Sequence, residues 1–267
     1  MKKRGVLVIL LIVLLLLVTN VLAHGDEEDE EVNLEEYLRE TSITYIIYAS
    51  VILVILVMVL FIKKEQSNNF KIAMFVFITL IIILPTLYIS FGTFYLNKTS
   101  LTKGPVHWHA DFEIWNCDEK LDLVDPEGFS NRIGNPVFHE HGDDRIHVEG
   151  VVVDKNEVNL DEFFHVIGGH ITQDNVEIPT TKGYLHSRNR DLCSNKEGKV
   201  QVFVYKTYGS VYTQEKLDEY ENYVLSPYSN VPPGDCIIVE FDEEKEKTEH
   251  ICSTYKSAIE RGVIYGG

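Results

Sequence analysis

The chain has 267 residues, a net charge of −17, four cysteines and ten histidines. An acid excess of that size argues against nucleic acid as a partner and speaks to solubility rather than fold. The apolar residues collect in three N-terminal runs, and the remainder is about the size of one ordinary domain.

Residues 1–23 read as a signal peptide. Lys2, Lys3 and Arg4 form a basic start, residues 5–18 are unbroken apolar, and "VLA" at 21–23 fits a signal-peptidase site. An uncleaved signal anchor is the rival reading. Cleavage would leave His24 at the head of an acidic exported segment, residues 24–41, which reads as a solvated spacer. His24 could then chelate copper through its amine and ring, a reading with nothing else behind it.

Two further runs, residues 42–62 and 72–96, carry no charge and are long enough for transmembrane helices, which need about 20 residues. Pro85 interrupts the second run and is tolerated if its freed carbonyl finds another partner. Tyr45, Tyr48, Tyr88 and Tyr95 lie toward the run ends, where an aromatic belt belongs. The connecting loop, residues 63–71, carries Lys63, Lys64 and Lys71, whereas the outer flank is acidic. The positive-inside rule makes that loop cytoplasmic and places residues 97–267 outside, as the C-terminal extracytoplasmic part of a multi-pass cell-membrane protein in contact with the lipid bilayer.

The exported part predicts an α+β fold, a mainly antiparallel or mixed β domain with two helices. Segments 106–116, 120–124, 137–141, 145–153, 199–206, 223–225 and 236–241 are β-branched or aromatic-rich and bounded by Gly, Pro, Asn or Asp, as strands are. "NLDEFFHVIGG" predicts a helix with Asn159 as N-cap, Glu162 completing a capping box, and Gly168 or Gly169 as the stop. A second helix is expected over 246–261. Cys117, Cys193, Cys236 and Cys252 all fall outside the membrane, which favours disulfides. Three connectivities are open, with a lean to Cys236–Cys252 because a strand and the helix after it pack together.

Half of the histidines lie between His107 and His147. Alternate residues of a strand share a face, so "HWHADFE" sets His107, His109, Asp111 and Glu113 on one side and Trp108, Ala110 and Phe112 on the other. In "HEHGDDRIHVE" the turn parity decides which side chains meet. A two-residue turn pairs His141 with Ile146. An odd loop, Gly142 to Asp144, pairs His139 with His147 and brings Glu149 to the same side. Asp-Asp lacks the glycine a two-residue turn prefers, and Gly142 can adopt positive φ, so the odd loop is expected. His107, His109, His139, His141, His147 and Glu149 are then candidate ligands for a divalent metal, Zn or Cu. The competing reading is a wet sheet face whose histidines bond to neighbouring acids. His165, His170, His186 and His250 have no partners in sequence and read as surface or packing residues. "HWHADF" misses the metallo-β-lactamase pattern at Phe112, the domain is too short for an amidohydrolase barrel, and H-E-x-x-H is absent.

The order H-x-H, H-x-H, "IHVEG", "VNLDEFFHVIGG", over residues 107–169, resembles a family of exported prokaryotic domains with paired HxH motifs, an IHxE element and an LxxFF helix ending in glycine. "KVQVFVYK" and "GDCIIVEF" are similar to that family's later strands. The resemblance implies that the five histidines and Glu149 belong to one site, and it implies no reaction. The two-span anchor departs from the pattern.

Three functions follow. The first is a membrane-anchored exported metal-binding domain, concerned with metal handling or sensing and working with an unidentified membrane or envelope protein. The second is a metal-dependent hydrolase or oxidoreductase with Glu113, Asp111 or Glu149 as base. The third is a structural or interaction domain without metal.

Overall fold

The structure is a computed structural model that describes residues 34–63, 65–129, 131–225 and 234–267. The signal-peptide reading of 1–23, His24 and residues 24–33 of the acidic segment lie outside the described residues. The described chain divides between Thr99 and Ser100 into two compact units.

The first unit holds two helices, α1 (Leu34–Ile62) and α2 (Asn68–Thr99), both long and apolar enough to cross a membrane. Each begins before its apolar run, so the connection is shorter than residues 63–71. Ser67 caps α2 by accepting the amide of Phe70. The helices run antiparallel: the Tyr45 and Tyr88 rings meet edge-on at 4.9 Å, and a Cβ on Gly92 would come within 3.2 Å of Leu38. Pro85 sits inside α2, and the hydroxyl of the next residue, Thr86, donates to the Ile82 carbonyl. Phe75, Phe77, Phe91 and Phe94 point outward, which suits lipid rather than water.

The second unit is the expected α+β domain. Its main sheet contains β1 (Pro105–Asn116), β2 (Glu119–Leu121), β3 (Ile133–Gly134), β4 (Phe138–Glu140), β5 (Arg145–Val151), β11 (Lys199–Tyr208), β12 (Val211–Lys216), β13 (Asp235–Asp242) and β14 (Tyr265–Gly266). The order is β14-β12-β11-β13-β1-β5-β4-β3, with β2 paired to the far end of β1. β1 is parallel to β13 and β12 to β14; the other ladders are antiparallel. A smaller sheet joins β6 (His170–Ile171), β7 (Asn175–Thr180) and β8 (Gly183–Arg188), and β9 (Leu192–Cys193) pairs with β10 (Lys196–Glu197).

One face of the main sheet carries the larger core. Ala110, Phe112, Ile146, Val148, Val202 and Val239 share one core with α3 (Leu160–Val166), with Phe163 5.3 Å from Phe112 and 5.5 Å from Phe138 between ring centroids. Asn159 caps α3 by accepting the Glu162 amide at 2.8 Å, and Gly168 leaves the helix at φ +81°. The opposite face is split. α4 (Ser253–Glu260) covers Phe203, Tyr205, Cys236 and Ile238 with Tyr255 and Ala258. The rest of that face, on β1, β5 and β4, carries the histidines.

Three expectations need correction. The second helix begins at Ser253 rather than Glu246, because the Thr248 and His250 carbonyls accept bonds from the Tyr205 hydroxyl and Cys252 is tied to Cys236. Segment 223–225 is no strand: it follows a 3-10 turn, and Val224 makes one isolated bridge to Asn159. The β7–β8 hairpin and β12 were not expected. The structure pairs Cys117 with Cys193 as well as Cys236 with Cys252.

Candidate metal centre

The site is built from strand register. In the β1–β5 ladder, His107 faces Glu149, His109 faces His147 and Asp111 faces Arg145. In the β4–β5 ladder, His139 faces His147. Because side chains alternate along a strand, His139, His147 and His109 form a row across three adjacent strands on one face. The β4–β5 loop has the odd parity expected, with Gly142 at φ +77° and Asp144 at φ +57°.

Glu140 holds that loop. It lies between His139 and His141 and points to the opposite, apolar face, where an isolated carboxylate would be costly. Its Oε1 instead accepts the Asp143 amide at 2.6 Å. Burial still pushes its carboxyl upward, against the lowering by backbone N–H groups of Gly142 and Asp143. Gly134 lets β3 approach: a Cβ there would lie 2.5 Å from the Phe138 carbonyl oxygen and 3.1 Å from His139 Cα.

All six sequence-predicted residues are brought together, and three of the histidines are buried. His139 is 1% exposed, His109 7% and His147 9%. The His147 ring lies parallel to His139 at 5.5 Å and edge-on to His109 at 4.5 Å and His141 at 4.8 Å. His107 Nε2 lies 2.8 Å from His109 Nε2, and His139 Nε2 lies 3.1 Å from His141 Nε2. Glu149 reaches both pairs, with Oε1 3.3 Å from His107 Nε2 and Oε2 3.9 Å from His139 Nε2. Two three-histidine sets can hold a metal: His107, His109 and His147, and His139, His141 and His147, each with donor atoms within 4.8 Å of one another.

The electrostatics favour neutral rings. Burial, then repulsion from His147 and His107, lowers His109 to about 4. Burial, then His141, lowers His139 to about 4. Burial lowers His147 as well, against the raising effect of Asp143. A neutral imidazole is the form that binds a metal. The Asn131 carbonyl accepts a hydrogen bond from His141 Nδ1, which leaves Nε2 as the atom that faces His139. Among the described residues, His109 Nδ1, His139 Nδ1 and His147 Nδ1 are buried without a hydrogen-bond partner, and Asp143 Oδ2 stands 3.5 Å from His147 Nε2. Each such atom costs roughly 1–3 kcal/mol if nothing binds it.

Other candidates are engaged elsewhere. Asp111 accepts from Arg145 Nε at 2.7 Å and from the Thr254 hydroxyl. Glu113 accepts from Trp115 Nε1 at 3.0 Å and pairs with Lys120 at 3.3 Å. His250 stacks on Trp115, while His170 and His186 sit beside Asp161 and Glu177. The positioning residues Asn131, Gly134, Glu140 and Asp143 were not read from the sequence. Glu140 was findable: in "HEHG" it must face the apolar side, where the nearest unbonded donors are the amides of the following loop.

No protein-family model, no curated protein and no solved structure matches the chain.

Proposed function

We propose that this protein is a membrane-anchored domain that binds Zn²⁺ or Cu²⁺ on the extracytoplasmic side, in metal handling or sensing. The observation that carries the reading is the convergence of five histidines from β1, β4 and β5, three of them buried, in two three-histidine sets whose donor atoms lie within 4.8 Å of one another. A sheet face that needed only solubility would not bury three imidazoles side by side. Two disulfides support an oxidising compartment, and two apolar helices support a bilayer anchor. The likeness to exported prokaryotic domains with paired HxH motifs belongs to the same proposal.

The test is metal content of the full chain, purified in detergent and measured by elemental analysis before and after titration with Zn²⁺ or Cu²⁺. Retention of at least one equivalent, weakened tenfold or more by His139→Ala, is the expected result. Less than a tenth of an equivalent, with no uptake on titration, rejects the reading.

A hydrolytic role has one specific observation in its favour. Glu149 is a carboxylate that reaches both histidine pairs, and its side chain is 40% exposed, so it can meet both a metal-bound water and a substrate. Turnover of ester, phosphate or peptide substrates that is lost in Glu149→Gln would support it.

A further inference from the structure

We propose that the cluster is a two-ion centre bridged by Glu149, with a buried inner position and an open outer one. This rests on the metal-binding reading above and goes beyond it in number, arrangement and accessibility of the ions.

Donor count is the first argument. Five imidazoles and the Glu149 carboxylate converge on this patch, with Asp143 beside His147, whereas a closed zinc site takes four ligands. One tetrahedral ion would leave at least two of these six donors unused. Grouping is the second. The histidines fall into two close pairs, His107 with His109 and His139 with His141, each from one strand segment. The third is the placement of Glu149, whose two oxygens face different pairs, Oε1 toward His107 and Oε2 toward His139. A carboxylate that gives one oxygen to each of two cations offsets their mutual repulsion, as in two-metal sites generally. His147 belongs to both three-histidine sets and lies between them.

The two positions differ in access. The His107 side chain is 62% exposed, whereas that of His139 is 1% exposed. The inner ion, on His139 and His141, is therefore shielded and slow to exchange. The outer ion, on His107 and His109, meets solvent and exchanges quickly, so it is the one available to a ligand or acceptor.

The experiment is titration of the metal-free full chain in detergent with Zn²⁺ alone, followed by calorimetry and by elemental analysis after rapid desalting. Wild type should take up two equivalents in two phases. His107→Ala, at an exposed position that does not threaten folding, should retain one equivalent and lose the fast-exchanging phase. A Cu²⁺-loaded sample gives a second readout. Wild type should show a spin-coupled resonance spectrum, and His107→Ala the spectrum of an isolated Cu²⁺. A single equivalent, lost alike in His107→Ala and His139→Ala, overturns the two-ion proposal and leaves metal binding intact. No uptake in wild type overturns both.

Discussion

At the scale of single residues, the account rests on imidazoles kept neutral by burial. His109 and His139 fall from 6.5 to about 4 in the folded chain, and His147 is lowered too. As acid is added, the unfolded chain takes up these protons first. The metal-free protein therefore has its full stability above about pH 6.5 and loses it as pH falls toward 4. Asp111 and Glu140, both raised by burial, act in the opposite sense over the acid end of this window. His139→Gln isolates the effect: its glutamine binds no proton, so unfolding free energy measured against pH should fall less steeply than in wild type. Equal slopes would show that His139 is not held neutral. The spacing of His107, His109, His139, His141 and Glu149 was readable because a strand alternates with period two. The burial of the rings was not, since it depends on neighbours far away in the chain.

At the scale of elements, the site depends on one loop and one close approach. The odd β4–β5 loop sets His139 opposite His147. Deleting Asp143 makes the loop even, which turns either His139 or His147 to the other face. That variant should lose metal binding by at least tenfold while keeping its strand content by circular dichroism; unaltered binding would mean the register does not build the site. Gly134→Ala places a Cβ against the Phe138 carbonyl at a positive φ, and should cost about 1–3 kcal/mol of stability in a denaturant titration. Loop parity was legible because Asp-Asp is a poor two-residue turn and a glycine stood beside it. Other elements were hidden for physical reasons. β7 contains Pro179, which usually demotes a strand, and "VYTQEK" in β12 has too few apolar residues to reveal its pairing. The start of α4 was misread because its periodicity continues upstream into a segment that side-chain bonds from Tyr205 and Gln214 hold out of the helix.

At the scale of the whole molecule, the disulfides tie the sheet to its coverings. Cys117–Cys193 closes a separation of 76 residues and Cys236–Cys252 one of 16. Chain-entropy reasoning assigns them about 4 and about 3 kcal/mol respectively. Replacing Cys117 and Cys193 with serine should therefore lower unfolding stability more than replacing Cys236 and Cys252; the reverse order would show that the tie beneath α4 matters more than loop length. The two apolar helices and the four cysteines were legible as composition. The division of one sheet face between α4 and the histidines was not, because the two halves come from distant segments. The central claim is that histidines of β1, β4 and β5 hold a metal. X-ray absorption at the zinc edge of the Zn²⁺-loaded full chain tests it most directly. The account predicts a nitrogen and oxygen shell at about 2.0–2.1 Å with the outer scattering of at least two imidazoles per zinc. An all-oxygen shell without imidazole scattering would contradict it.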